Sequence, residues 1–195
     1  MFNGIIFNTG KVVDLKKNKK SIRVGVKTKI NLSKKDLGSS ICCDGVCLTV
    51  EKIKKDIIYF YISSETLKRS NFKVLKLNQI MNLEKSLTYG QIISGHFIQG
   101  HVDTVAKIKK ISFIDKSWVM KFEILDKKLN KFLVQKASIS INGVSLTISQ
   151  INGIFFEINV IPHTLQLTNL KTLKINNLVN VELDILSKYM YKYSN

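Results

Sequence analysis

A chain of 195 residues, 45% of them apolar, has room for one large domain or two small ones and enough apolar mass for a packed core, which excludes intrinsic disorder. No apolar run reaches membrane-spanning length, and the opening MFNGIIFNTGK lacks the basic end, apolar stretch and cleavage site of a signal peptide, so no membrane and a cytoplasmic location are expected. The net charge of +17 does not by itself make a nucleic-acid binder: the positive residues are nearly all lysine, with arginine only at Arg23 and Arg69, and lysine, isoleucine and asparagine all have A/T-rich codons.

Alternation of apolar and polar residues predicts strands over 21–27, 46–53 and 57–63, and again over 102–111, 117–124, 145–151 and 155–161. Asp44-Gly45 and Asn142-Gly143 predict two-residue hairpin turns, because both residue types accept positive φ. Short helices are expected after Ser64 and after Ile161, with Ser64 as a cap and Pro162 at the first helical position. Gly90 and Gly95 mark a break between the halves. Ile185, Leu186, Tyr189, Met190 and Tyr193 recur at helical spacing and predict a short terminal helix. The cysteine count of 3 is odd, and Cys42 and Cys43 are adjacent, which argues against a disulfide framework and for a reducing compartment.

The chain repeats itself. Sliding it so that Gly45 meets Gly143 pairs GSSICCDGVCLTV (38–50) with KASISINGVSLTI (136–148), SETLKRSN (64–71) with PHTLQLTN (162–169), and MNLEKSL (81–87) with VNVELDI (179–185). A slightly shorter slide brings GIIFNTGKV (4–12) onto GHVDTVAKI (100–108). Short antiparallel strands in each half predict an all-β protein, a small Greek-key barrel made twice. The expected units are residues 1–90, 91–184 and a helical tail over 185–195.

Side chains alternate along a strand, so Val46, Leu48 and Val50 should point inward, and Cys47 and Thr49 outward. Val144, Leu146 and Ile148 should likewise face the core, with Ser145 and Thr147 outside. The helix starts, at Ser64, Glu65 and Thr66 and at His163 and Thr164, offer unpaired N–H groups to ligand oxygens. Two matched polar pockets would bind two copies of one small molecule. The halves differ at reactive residue types: Cys47 aligns with Ser145, His101 with Ile5, Lys136 with Gly38, and Asp184 with Ser86. Such asymmetry suits two identical molecules reacting in different roles. Each feature also has a plain structural reading. An Asx-Gly turn with exposed Thr or Ser needs no ligand, Cys47 suits a buried filler, His101 an ordinary strand position, and Glu65 and Lys136 solvated charges. Cys42 and Cys43 read as structural. A metal site from Cys42, Cys43, Cys47, His96 and His101 fits no common ligand spacing.

MFNGII, DGVCLTV, SGHFIQGHVD, NGVSLTI, IPHTLQLTN and VNVELD together resemble the trimeric alpha-type riboflavin synthases over nearly the whole chain. The resemblance implies two duplicated six-stranded antiparallel Greek-key barrels and a short C-terminal helix. It implies dismutation of two 6,7-dimethyl-8-ribityllumazine molecules by transfer of a four-carbon unit, with no cofactor and no metal. It also implies a homotrimer in which one subunit's N-terminal barrel meets a neighbour's C-terminal barrel. The lumazine sites implied comprise Gly4, Ile5 and Ile6; Cys47, Leu48 and Thr49; Tyr61, Ile62, Ser63, Ser64, Glu65 and Thr66; and Gly100, His101 and Val102. They continue with Lys136; Ser145, Leu146 and Thr147; and Asn159, Val160, Ile161, Pro162, His163 and Thr164.

The chemistry needs a proton carrier near neutral pH, which suits His101. It needs an attack on a ring carbon, by Cys47 or by a water that Cys47 positions. Ser145 and Thr147 are the expected hydrogen-bond donors in the partner pocket, and Phe2 and Asp184 match family positions near the reaction centre. Asn3 departs from the family's threonine, and the tail after Asp184 is short. Two rivals stand beside this reading. Related lumazine proteins bind one lumazine as a light-emitting antenna, and a barrel for single-stranded nucleic acid needs exposed aromatic residues. Tyr59, Phe60 and Tyr61 run together, but alternation places Phe60 on the opposite face.

Overall fold

In the computed structural model, which describes residues 1–194, the alternating segments close into two barrels. The first consists of β1 (Asn8–Lys17), β2 (Ile22–Thr28), β3 (Ser40–Cys43), β4 (Val46–Lys54), β5 (Ile57–Ile62) and β6 (Ile80–Lys85). The second consists of β7 (Thr104–Ile114), β8 (Ser117–Ile124), β9 (Ser138–Ile141), β10 (Val144–Asn152), β11 (Phe155–Val160) and β12 (Leu178–Leu183). Around the first barrel the order is β1-β2-β5-β4-β3-β6, and around the second β7-β8-β11-β10-β9-β12, the same circuit twice. Helices α1 (Ser64–Arg69) and α2 (Pro162–Leu167) precede the last strand of each barrel, and α3 (Ile185–Ser194) follows. Asn195, the last residue of the expected tail, lies outside the described residues.

Alternation finds the long central strands and misses β1, β3, β6, β9 and β12, each for a physical reason. In β1 the register shifts between Val12 and Asp14, a bulge that breaks the period, and β7 repeats it between Ile108 and Lys110. β3 and β9 have only 4 residues each. β6 and β12 have only 6 residues each and are buried on both faces, and the polar residues that alternate with their core side chains, Asn82 and Glu84 in one and Asn180 and Glu182 in the other, are themselves buried against the opposite half. Ser63, not Ser64, caps α1: Ser63 is extended at φ −75° and ψ 166°, and its Oγ accepts from the Thr66 N–H at 3.3 Å. Pro162 takes the first helical position of α2.

Each barrel has its own core. Phe60, Phe72, Ile41 and Met81 fill the first; Phe122 and Phe156 stack at 5.1 Å in the second, among Ile139, Ile158 and Val181. A fully buried side chain of this size contributes roughly 1.5–3 kcal/mol. One residue in each core comes from the wrong half: Val102 belongs to the first core and Ile6 to the second. The opening segments of the halves are thus exchanged. They also pair with each other, Phe2 N donating to Ile98 O at 2.8 Å and Ile98 N to Phe2 O at 3.0 Å.

Between the barrels lies a buried amide network. Asn82 Nδ2 donates to Asn142 O at 2.9 Å and to Asn169 Oδ1 at 3.0 Å, while Asn180 Nδ2 donates to Asp44 O at 2.8 Å. Asn71 N donates to Asn180 Oδ1, and Asn169 N to Asn82 Oδ1, both at 2.7 Å. The hairpin tips meet here, with Asp44 at φ 45° and its counterpart Asn142 at φ 47°. Asp44 is the single carboxyl in the network. Its Oδ1 accepts from Asn82 N at 2.7 Å and from Asn169 Nδ2 at 2.9 Å, while Oδ2 has no partner among the described residues. Burial outweighs those two bonds and pushes this carboxyl up to about 7.

Candidate active site

The duplicated hairpin places Cys47 and Ser145 at equivalent points, each half-buried on the outer face of its barrel, with Thr49 and Thr147 exposed beyond them. Leu48 is buried and Leu146 half-buried on the inner side. Both positions are sealed by the opening segment of the other half. Cys47 N donates to Gly100 O at 2.8 Å, and Ser145 N donates to Gly4 O at 2.9 Å. Gly4 and Gly100 take φ 76° and 77°, and a Cβ there would lie 2.6 Å from Ser145 N and 2.6 Å from Cys47 Cβ. Only glycine permits this approach.

The first site gathers residues distant in sequence. Val46, Cys47, Glu65, Thr66, Arg69, Ser70, Gly100, His101 and Val102 line one cleft of about 200 Å³. Cys47 and His101 are therefore brought together, one from each half. Ser64 and Tyr61 are exposed nearby in sequence, Ser63 is half-buried and Ile62 is part of the core. Arg69, which the sequence reading did not assign, pairs with Glu65 at 2.7 Å and holds its carboxyl below the usual range. Its spacing of four residues from Glu65 was the available signal. Cys42 sits directly opposite Cys47 across β3 and β4. Burial pushes the Cys42 and Cys43 thiols well up, so both stay protonated and inert, consistent with a structural role. Phe2 is fully buried and packs with Cys42 and Ile98 behind Cys47.

The second site contains a pair the sequence reading missed. His96 Nδ1 and Ser145 Oγ are hydrogen-bonded at 2.7 Å. Burial pushes the His96 imidazole below its usual range, while the charge of Asp184 pulls the other way. Asp184 itself is half-buried at the start of α3. The repeat offered no clue, because Phe2 aligns with Ile98 and the counterpart of His96 would precede Met1. Gly4 and Ile6 are buried beside this site, and Ile5 is half-buried. Along β11 and into α2, Asn159, Ile161 and His163 are exposed, Pro162 and Thr164 half-buried, and Val160 buried. Lys136 is exposed in the loop before β9, at φ 70°. His96 and His101 thus lie at different sites, one beside Ser145 and one in the cleft with Cys47.

Larger hollows lie elsewhere. One of about 730 Å³ runs between Thr9–Lys11 and Lys27–Leu32, but none of the expected site residues lines it. Size alone does not make a site; convergent reactive groups do.

The lumazine binding domain family matches this chain twice, over residues 3–86 and 99–184. A riboflavin synthase of Actinobacillus pleuropneumoniae is 34% identical over 193 residues, spanning 99% of this chain and 89% of that protein. The riboflavin synthase of Bacillus subtilis (strain 168) is 36% identical over 194 residues, with the same coverage of 99% and 89%. Among solved structures, LumP complexed with 6,7-dimethyl-8-(1'-D-ribityl) lumazine superposes with a TM-score of 0.81 at 28% identity, covering 93% of this chain and 98% of that one.

Proposed function

The chain belongs to the lumazine-binding family of riboflavin synthases, and on that premise we propose how its two sites divide the reaction. The reaction is a dismutation: two molecules of 6,7-dimethyl-8-ribityllumazine give riboflavin and 5-amino-6-ribitylamino-uracil by transfer of a four-carbon unit. The atoms of the products add up to two substrate molecules, so no outside oxidant or reductant enters.

A methyl group on the electron-poor ring is acidic, because its anion spreads onto ring nitrogens and carbonyl oxygens. The protein must remove that proton, hold the anion with fixed donors and keep two flat rings in register. In the first cleft, His101 moves the proton, and Cys47, two residues past the hairpin turn, supplies or positions the attacking group. In the second site, His96 orients the Ser145 hydroxyl, and Thr147 lies on the same strand face for a second hydrogen bond. Asp184 biases His96 electrostatically. Phe2 supports Cys47 from behind. The segments Tyr61 to Thr66 and Asn159 to Thr164, through their exposed members Tyr61, Ser64, Glu65, Asn159, Ile161 and His163, flank the rings and ribityl chains.

One observation carries this reading: matched positions hold a thiol in one half and a hydroxyl–imidazole pair in the other, each sealed by a segment from the opposite half. Pure protein given 6,7-dimethyl-8-ribityllumazine alone should accumulate riboflavin, followed by absorbance. One tightly held lumazine per chain with no riboflavin would make the protein an antenna and end the enzyme reading.

The first cleft, at about 200 Å³, is smaller than the ~300–1,000 Å³ usual for small-molecule sites. A neighbouring barrel placed over it would complete the enclosure and bring the second ring into contact. Leu186, Tyr189 and Met190 of α3 are exposed and suited to such packing. The proposed assembly is therefore a homotrimer, which sedimentation at assay concentration checks. The proposed units are residues 1–90, 91–184 and the tail, each barrel borrowing the other's opening residues. No helix among the described residues is long and apolar enough to cross a membrane, and the proposed location, given three unpaired cysteines, is the cytoplasm.

A further inference from the structure

Each barrel ends on a glutamate that faces the exchanged segments. Glu84 on β6 accepts from Asn3 N at 2.9 Å and Gly4 N at 3.1 Å. Its counterpart Glu182 on β12 accepts from Gln99 N at 2.7 Å, Gly100 N at 2.9 Å and His101 N at 3.0 Å. The two carboxylates occupy equivalent places in the repeat and grip equivalent peptides. They differ at the last bond. The Ile5 N–H turns to Asn3 Oδ1 at 3.0 Å, whereas the His101 N–H, its counterpart, goes to Glu182.

We propose that Glu182 is a positioning residue for the reaction: its carboxylate fixes the peptide that carries His101, and so sets the imidazole against Cys47 across the two halves. The inference rests on the role given above to His101. Its physical basis is a continuous relay. Gly100 gives its N–H to Glu182 of the second barrel and its carbonyl to Cys47 N of the first. One residue therefore ties the nucleophile-bearing hairpin to the strand end of the opposite barrel. His101 follows directly, with its own N–H on the same carboxylate. Bonds from N–H groups to an ionised carboxylate are stronger than neutral ones and fix direction as well as distance. A misplacement of about 1 Å at a reacting group can cost on the order of 100-fold in rate.

Several charged or titratable groups face Glu182. Lys188 of α3 favours its ionised form, and Asp103 opposes it. Lys188 and Asp103 also pair with each other at 2.7 Å. Cys42, on β3 of the first barrel, feels the Glu182 charge, and His101 lies on the gripped peptide. Burial is the largest influence and raises Glu182 above the usual carboxylate range. The working form is the carboxylate, so the grip is present above that raised value and is lost as pH falls through it.

The test is Glu182→Gln in the intact chain, with kcat and KM measured on 6,7-dimethyl-8-ribityllumazine. The expected result is a kcat lower by roughly 30- to 100-fold with KM within about 3-fold of the parent. A variant with parental kcat overturns the proposal. If the variant fails to fold, the parent alone decides. The amide proton resonances of Gln99, Gly100 and His101 should shift together as pH is lowered, with the midpoint of an acid-side fall in kcat. Amides that do not titrate, or that titrate at a different midpoint from kcat, overturn it. A parent that makes no riboflavin at all is a different result, because it removes the enzyme reading itself.

Discussion

The two barrels share a circuit of strands, a pair of bulges, a hairpin turn and even a backbone bond from the second residue after the turn to a glycine of the other half. They part company at a few side chains. The first has a thiol facing a histidine-bearing peptide; the second has a hydroxyl already bonded to a half-buried imidazole. The difference teaches how one duplicated scaffold can bind two identical molecules and treat them unequally. In the proposed division, recognition falls to the repeated backbone, which duplication copies faithfully. Reactivity falls to side chains that a single substitution changes without disturbing that backbone.

The comparison can be broken at its reactive side first. His101 aligns with Ile5, so His101→Ala moves the first site towards the second. Turnover should fall by roughly 10²- to 10⁴-fold while lumazine binding stays near parental. Steady-state kinetics and a binding titration check both halves of that statement, and a parental rate would remove His101 from the chemistry. Cys47→Ser writes the second half's residue into the first. It should cost about 10- to 100-fold in kcat with the fold intact by circular dichroism. Full activity would take the thiol out of the mechanism and leave only its place.

The smallest expected effect lies in the interface. Asp44 stands where the other half has Asn142, and its raised value of about 7 against the ordinary 3.8 means that the folded state holds the proton more tightly than the unfolded one. Stability should therefore fall as pH rises through that interval, not increase. Asp44→Asn restores the symmetry, keeps an acceptor for Asn82 and Asn169, and suits the positive φ. At pH 8 it should raise Tm by several degrees and flatten the slope above about pH 6. Below that, Glu84, raised by burial to about 6, and Glu182, raised likewise, contribute the same sign. Thermal melts across this range decide; an unchanged slope would mean that Asp44 ionises freely.

Much of this was legible in the sequence because a repeat is a comparison the chain makes with itself. DGVCLTV and NGVSLTI fixed the turns, the inward and outward faces, and the alignment of Cys47 with Ser145. The repeat also put Glu84 opposite Glu182, but nothing local says which N–H groups a glutamate will find. β6 and β12 do alternate, but over only 6 residues each, and nothing local says that Asn82, Glu84, Asn180 and Glu182 will be buried against the other half. His96 hid because it lies between the two copies, where self-comparison is silent. The exchange of opening segments left no trace either: Gly4 carries no mark of the strand it will meet.

That exchange also bears on how the molecule is made. Gly4 is among the first residues to leave the ribosome, yet the backbone it bonds to, at Ser145, emerges near the end. At the usual pace of ~5–20 residues per second, the interval is roughly seven to thirty seconds. The first barrel can close its strands and hold Asn3 and Gly4 on Glu84 during that wait, but the Gly4 carbonyl has no partner until the second hairpin is made. The oldest part of the nascent polypeptide is therefore among the last to complete its contacts.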